Sequence, residues 1–229
     1  MRAARGVEHN ISVCFTQVKD AFNQGLVFTG PKLGYQFGIN WRSEKYTFSY
    51  TPSVNLGIPF SHEMIAVSLG FVPIDVKGTR PLSQMNGHTL DGGIGFKTNY
   101  NYQIYPNLQS GHLFWMTEIG LSAAFAYKYE WERRRISLSV RNSLLGFVSK
   151  KQYDDPYFYS LKFRDFITFA HQDLKFGSFN RYNHTEIGVE FAPDVDKRHA
   201  FRLGVDYLAT YFGIGFKQLD FVLTWKISL

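Results

Sequence analysis

Residues 33–57 alternate between apolar and polar side chains, and this pattern constrains the fold more than any other feature of the chain. Apolar residues occupy the odd positions from Leu33 to Trp41. After an interval at Ser43–Glu44, they occupy the even positions from Tyr46 to Leu56. A period of two residues indicates extended strands with chemically opposite faces. Each arm runs about 10–13 residues, whereas globular strands usually have about 5 or 6 and a bilayer-crossing strand needs about 9–11. The segment therefore predicts a membrane-spanning β-hairpin.

The composition agrees with this interpretation. Aromatic residues make up 17% of the chain and charged residues 19%, against roughly 25% charged residues in soluble domains. The mean hydropathy of −0.20 suits a wall in which each apolar lipid-facing residue is followed by a polar lumen-facing one. A transmembrane helix needs about 18 consecutive apolar residues, and no window of the sequence holds such a run. We therefore expect a single β-barrel domain formed by residues 1–229.

Further alternating segments predict an all-β fold, a transmembrane antiparallel up-and-down β-barrel of about twelve strands, with ten to fourteen as the range. The predicted strands cover about 7–16, 33–42, 45–57, 64–71, 92–105, 112–130, 134–148, 157–169, 174–179, 185–191, 201–211 and 216–229. An even number places both termini in the periplasm. The connections 43–44, 131–133, 170–173 and 193–198 then face the periplasm, together with the long segment 72–90. This segment is interpreted as a plug, an extra strand or a docking segment.

A soluble barrel or sandwich also alternates, but with its apolar face inward. Two features favour the membrane barrel. The polar phase is rich in small residues such as Gly34, Gly70, Gly95 and Gly120, which a crowded lumen needs and a solvated sheet face does not. Aromatic residues also concentrate towards strand ends, where interfacial girdles lie; they are Trp41, Tyr46, Tyr127, Tyr129, Tyr207 and Trp225.

The inward phase carries charges of both signs. The predicted solute-facing residues are Arg42, Lys45, Lys97, Arg141, Lys162, Arg164, Arg202, Glu118, Glu186, Glu190 and Asp206. In one interpretation the cations line an open lumen and attract small anionic solutes. In the other, the charges pair across the barrel and fill it, because an unpaired enclosed charge is costly. Both interpretations remain open at this stage.

Enzymatic and metal-dependent functions have little support in the sequence. Outer-membrane lipid hydrolases of the phospholipase and lipid A deacylase families use a His-x-Ser pair, and none of the seven histidines fits that pattern. Omptin proteases use an acidic pair and a His-Asp pair at the extracellular rim, and Asp154–Asp155 and His171-x-Asp173 resemble these pairs. The twelve-strand topology, however, places His171 and Asp173 at the periplasmic end. His184, Glu186 and Glu190 share one strand face and are interpreted as a hydrogen-bond network. We expect no catalytic residues, no metal and no cofactor.

The pattern resembles that of the Gram-negative outer-membrane β-barrels, and the resemblance covers nearly the whole chain. The alternation that ends in Phe221, Leu223, Trp225, Ile227 and Leu229 is similar to the signature read by bacterial barrel-insertion machinery, with a terminal Leu in place of an aromatic residue. The resemblance implies a bacterial outer-membrane location. Residues 1–10 lack the apolar core of a signal peptide, so we expect the chain to correspond to the mature, exported form.

In length and strand number the chain looks like the narrow, basic-lumen porins that pass acidic sugars, although no residues match that family individually. The leading hypothesis is a narrow passive pore for small anionic solutes. The alternatives are a closed barrel that serves as a structural or partner-binding component of an envelope assembly, and a lipid-modifying enzyme. The expected partners are membrane lipid and lipopolysaccharide, while a protein partner stays unknown. Despite a net charge of +6 and a pI near 9.3, nucleic acid is not expected, because the basic residues are dispersed through amphipathic strands.

Overall fold

Long antiparallel strands form most of the protein in the computed structural model, as the alternation predicts. The structure describes residues 4–20, 25–43, 45–62, 64–106, 113–153, 164, 168, 170–179, 181–194, 198–211 and 215–229. The strands within these residues are β1 (Ala4–Asp20), β2 (Val27–Arg42), β3 (Thr47–Tyr50), β4 (Ser53–Gly57), β5 (Phe60–Ser61), β6 (Met64–Ile65), β7 (Val67–Met85), β8 (His88–Ile104), β9 (Leu113–Trp131), β10 (Arg134–Tyr153), β11 (Lys175–Ser178), β12 (Tyr182–Ala192), β13 (His199–Thr210) and β14 (Phe216–Ser228).

The sheet closes on itself because β1 pairs with both β2 and β14. β3 and β4 each pair with β2 and β7, so together they form one barrel strand interrupted at Thr51–Pro52. The described chain is therefore a closed antiparallel barrel of ten strands, and the predicted number of twelve is not supported. The short strands β5, β6 and β11 extend its wall at one end.

Two predicted segments account for the difference in strand number. The predicted strand 157–169 lies mostly outside the described residues, and its described members, Arg164 and Thr168, are helical. The predicted strand 174–179 corresponds to β11, which pairs with β10 beyond the point where β12 ends, and so continues the line of β12 rather than adding a strand.

The segment 72–90 is neither a plug nor an additional strand. It consists of the second half of β7, the start of β8 and the turn Asn86–Gly87 between them. Both turn residues have positive φ, 49° and 82°, as a two-residue turn between twisted antiparallel strands requires. β7 and β8 are therefore longer than predicted and form one hairpin.

The two ends of the barrel differ in their connections. Tight turns join β7 to β8 and β9 to β10. The connections from β2 to β3 and from β12 to β13 lie at the same end of the barrel, which also holds both strand termini Ala4 and Ser228. We call it the turn end and the opposite one the loop end. Short turns face the periplasm in bacterial barrels, so the turn end is the one expected on that side.

The predicted periplasmic turn 170–173 lies at the loop end instead. β10 reaches the loop end at Tyr153 and β11 leaves from the same end at Lys175. Ser149, near the loop end of β10, donates a hydrogen bond to the carbonyl of Gln172 at 2.5 Å. The prediction was wrong because it counted 157–169 as a strand that crosses the barrel. That additional crossing placed 170–173 at the opposite end.

The outer wall is apolar, with Leu33 65% and Ile94 67% exposed. Towards the turn end this face carries paired aromatic rings, including Tyr129 and Trp131 with centroids 5.4 Å apart. Such a belt flanked by aromatic residues is the lipid-facing surface of a membrane barrel. Within the described residues, no helix is long and apolar enough to cross a membrane.

Close packing of two strands at Gly93 gives a testable prediction. A Cβ atom added at Gly93 would lie 2.0 Å from the backbone oxygen of Gly78 and 2.8 Å from Cα of Thr79. We expect Gly93→Ala to lower the free energy of unfolding by about 1–3 kcal/mol, because β7 has to move. Gly78→Ala is the matched control, since its Cβ would meet nothing within 4 Å. Equal urea midpoints for the two variants would contradict the prediction.

Candidate functional site

Apolar side chains fill the lumen at the loop end. Ten inward residues there are at most 3% exposed and pack into one cluster. They come from β1, β2, β9, β10, β12, β13 and β14 and from positions adjoining β7 and β8, so the cluster reaches around the ring. We call this cluster the lumen cap, and its members are Val18, Phe28, Ala66, Tyr105, Phe114, Met116, Val148, Tyr182, Leu208 and Phe216.

Aromatic stacking across the lumen ties the cap together. The rings of Phe114 on β9 and Phe216 on β14 stack with centroids 5.2 Å apart. The rings of Phe28 on β2 and Tyr105 after β8 lie 4.9 Å apart. These strands are not neighbours in the wall, so the contacts span the interior. Each such pair contributes about 0.5–1.5 kcal/mol beyond the area that it buries.

Ion pairs occupy the lumen on the turn-end side of the cap. Lys97 of β8 contacts Glu186 of β12 at 2.6 Å, and Arg141 of β10 contacts Asp75 of β7 at 2.7 Å. Both pairs join strands that are not adjacent in the sheet. Charges enclosed at this depth are costly unless they are paired, and these four charges are paired across the interior.

His184 on β12 connects the cap to the charged region. It is 5% exposed, and both ring nitrogens face carboxylates. Its Nδ1 lies 2.8 Å from Glu118 and its Nε2 lies 2.7 Å from Asp206. Glu118 also accepts hydrogen bonds from Tyr182 of the cap and from Asn99, the latter at 3.3 Å. The ring and its carboxylates are therefore held by four strands.

Three carboxylates lie next to one another in the register of neighbouring strands. Glu186 of β12 is opposite Asp206 of β13, and Asp206 is opposite Asp220 of β14. Like charges directly opposite destabilise a sheet. Lys32, which is 2% exposed, offsets the last of them through a contact of 3.3 Å to Asp220.

A polar cavity of about 180 Å³ lies between these charges and the β1–β4 side of the wall. Its lining includes the charged residues Lys97, Arg202, Glu186 and Asp206. The polar lining also includes Asp75 and the amide and hydroxyl side chains of Asn10, Ser12, Gln36, Ser53, Asn55 and Thr224. The cavity is large enough for several water molecules.

Closer to the turn end the lumen is again crossed by ion pairs. Lys226 contacts Glu190 at 2.9 Å and Glu8 at 3.4 Å. Glu190 also contacts Arg135 at 3.4 Å. A second cavity, of about 110 Å³, lies nearer the rim and is lined by charged residues that include Arg42 and Lys128.

The structure places most of the predicted solute-facing residues inside the barrel, while their contact with solutes stays a prediction. Seven of them point into the lumen and contact other lumen residues or line its cavity: Lys97, Arg141, Arg202, Glu118, Glu186, Glu190 and Asp206. Arg42 lines the cavity at the rim. Lys45 is exposed in the β2–β3 connection, and Arg164, a helical residue between β10 and β11, is also exposed. Lys162 lies outside the described residues.

The sequence interpretation missed Lys32 and Asp75 because both fall outside the predicted strands. It also grouped His184 and Glu186 with Glu190, whereas the structure brings Asp206 to them instead. The alternation identifies the face of each residue, but the neighbour across a strand pair depends on register. The signal that could have located the cap is the presence of Phe114 and Met116 in the inward phase of a predicted strand.

Comparison with solved structures identifies the type of barrel. The fold is similar to that of the outer membrane protease OmpT from Escherichia coli, with a TM-score of 0.55 and 9% identity over 100% of this chain and 98% of that one. The chain has the fold of an outer-membrane β-barrel. Weaker likenesses include the translocator domain of the autotransporter NalP from Neisseria meningitidis, with a TM-score of 0.49 and 7% identity over 97% and 88% of the two chains. Neisserial surface protein A is also similar, with a TM-score of 0.40 and 6% identity over 96% of each chain.

No protein-family model matches this outer-membrane barrel, and no curated protein matches it either. The similarity to OmpT therefore establishes the fold and not an activity.

The omptin-like histidine lies on the outer wall of the barrel. His171 is at the loop end, as a protease of that type would need, but its Nε2 lies 3.0 Å from the hydroxyl of Tyr100, a residue of the outward face of β8. It is therefore separated from the lumen by the wall. Asp154 and Asp155 lie outside the described residues.

Proposed function

We propose that the protein is a closed outer-membrane barrel that serves as a structural or partner-binding component of the envelope and does not conduct solutes through its lumen. The observation that carries this proposal is the lumen cap, in which ten apolar side chains meet across the barrel with almost no exposed surface. An apolar constriction without water is a barrier to ions. Solutes that enter from the turn end would stop at this layer.

The charge distribution supports the same proposal. A selective pore needs charges that are free to interact with a passing solute. Here Lys97 and Arg141 instead contact carboxylates at 2.6 and 2.7 Å. The narrow pore for small anionic solutes, predicted from the alternating pattern, stays a prediction that requires the cap to open.

The wall and the loop end are then the surfaces available to partners. On the outward face near the loop end, Lys19 and Lys217 are directly opposite each other in the register of β1 and β14. Repulsion between them would be relieved by a shared anion. The phosphate groups of lipopolysaccharide are anions and would lie at the level of the loop end in the membrane. Membrane lipid and lipopolysaccharide therefore stay the expected partners.

Conductance of the refolded barrel in a planar bilayer tests the proposal. We expect no discrete current steps, because the cap excludes water from the loop end of the lumen. Insertion is checked in parallel by protease protection in liposomes, so that a silent recording is not mistaken for absent protein. Reproducible steps with anion preference would contradict the closed barrel and support the pore.

A further inference from the structure

Three potential metal ligands meet in the lumen, on the turn-end side of the lumen cap. The Nε2 atom of His184 and carboxylate oxygens of Glu186 and Asp206 all lie within 4.8 Å of one another. Nε2 is 2.7 Å from Asp206 and 3.6 Å from Glu186. One imidazole and two carboxylates are a donor set that first-row divalent cations accept.

The opposite side of the imidazole is oriented as in many metal sites. Nδ1 of His184 lies 2.8 Å from the carboxylate of Glu118, which is itself bonded to Tyr182 and Asn99. A carboxylate that accepts the Nδ1 proton leaves the Nε2 lone pair facing a metal and fixes the plane of the ring. Glu118 is 3% exposed, so buried contacts hold the ring in this orientation.

Among the described residues, the carboxylates around the ring outnumber the cations in contact with them. The carboxylates are those of Glu118, Glu186 and Asp206, and the cations are His184 and Lys97. Glu186 and Asp206 are directly opposite in register, and Asp206 is also opposite Asp220. Without a metal, both nitrogens of His184 must donate to carboxylates, so a single positive charge on the ring serves both Glu118 and Asp206. A divalent ion that replaces the Nε2 proton would add one unit of positive charge between Glu186 and Asp206 and release one proton.

Space for additional ligands is present next to the cluster. Glu186 and Asp206 both line the cavity of about 180 Å³, which can hold the water molecules that complete a coordination sphere. Lys97 contacts Oε1 of Glu186 at 2.6 Å, and this is the oxygen that lies 3.6 Å from Nε2. A metal ion would therefore bind the other oxygen, Oε2, or displace Lys97. The ligands come from the adjacent strands β12 and β13, whose pairing is continuous from Tyr182 to Phe191.

From this arrangement we infer that His184, Glu186 and Asp206 bind a divalent transition-metal ion of the Zn²⁺ type, with Glu118 as the residue that positions His184. A nitrogen ligand disfavours Mg²⁺ and Ca²⁺, which prefer all-oxygen sites. The sequence interpretation expected no metal, because three polar residues on one face of a single strand were interpreted as a hydrogen-bond network. The inference concerns the lumen only and is independent of whether the barrel conducts.

Calorimetric titration with Zn²⁺ tests the inference. The folded, tag-free barrel in detergent is freed of metal with a chelator and titrated with Zn²⁺ and, separately, with Mg²⁺. We expect one Zn²⁺ site per chain, an increase in Tm when Zn²⁺ is added, and no comparable binding of Mg²⁺. His184→Gln and Asp206→Asn should each weaken Zn²⁺ binding by more than about 100-fold, and Glu118→Gln by about 10–100-fold.

The matched control is Glu190→Gln. Glu190 lies on the same inward face of β12 but contacts Lys226 at 2.9 Å rather than His184, so Zn²⁺ affinity should not change. Folding of every variant is verified by circular dichroism, and Asp206→Asn replaces His184→Gln if the latter does not fold. Absence of Zn²⁺ binding by the unmodified barrel would overturn the inference. Binding that survives in both ligand variants would also overturn it, because the ion would then occupy surface histidines such as His88.

Discussion

Replacing Glu118 with alanine is expected to lower the free energy of unfolding by about 3–5 kcal/mol. The carboxylate is 3% exposed and accepts hydrogen bonds from His184, Asn99 and Tyr182. Alanine leaves all three donors without this acceptor, and one of them carries the positive charge of the imidazole. Buried donors that lose their partner retain the full cost of their desolvation. Urea unfolding in detergent micelles, followed by tryptophan fluorescence, measures the difference.

Glu130→Ala provides the control within the same strand. Glu130 is also on β9, but its side chain is 54% exposed and its contact to Arg135 is 3.8 Å long. An exposed ion pair of this kind contributes about 0–1 kcal/mol. Similar losses of stability in the two variants would contradict the view that Glu118 has a special role in the interior.

The faces of the strands could be predicted from the sequence because lipid and lumen impose opposite requirements on alternate residues. On β14, Phe221 and Trp225 were assigned outward, and their side chains are 52% and 42% exposed. Asp220 was assigned to the opposite, inward face and is 7% exposed. The same rule identified Lys97 and Asp206 as lumen residues. It acts on each residue independently of the rest of the fold, so it needs no knowledge of which strands are neighbours.

The length of the strands was less accessible because bulges shift the phase of the alternation. The pairing of β7 with β8 changes register between Phe71 and Ile74 and again between Pro81 and Ser83. After each shift the apolar residues move to positions that a strict period of two assigns to the other face. Residues 72–90 consequently read as a connection, and Asp75 was not recognised as the partner of Arg141.

The candidate site could be predicted only in part because its contacts depend on the closure of the ring. Lys97 and Glu186 are 89 residues apart and belong to β8 and β12, which do not pair. Only the number of strands and their stagger determine which inward residues meet across a barrel. The choice between an open and a filled interior stayed unresolved because the inward phase carries charges of both signs, and the sequence does not show which of them meet.

Opening of the lumen cap is expected to convert the silent barrel into a conducting one. In the double variant Phe114→Ala/Phe216→Ala, both rings of a stacked pair with centroids 5.2 Å apart are removed. Their removal leaves space at the centre of the cap, which water can enter from the loop end and from the polar cavity on the other side. We also expect a loss of about 3–5 kcal/mol of stability for each buried ring. Current steps in a planar bilayer and urea unfolding measure the two effects.

Phe147→Ala/Phe176→Ala is the matched control for this experiment. These two rings also contact each other, with centroids 5.7 Å apart, but they lie on the outer wall and are 48% and 56% exposed. Their removal changes the contact with lipid and leaves the lumen filled, so no current steps should appear. A folded Phe114→Ala/Phe216→Ala barrel that stays silent would contradict the assignment of the barrier to the cap. The ion pairs of Lys97 and Arg141 would then be the next element to test.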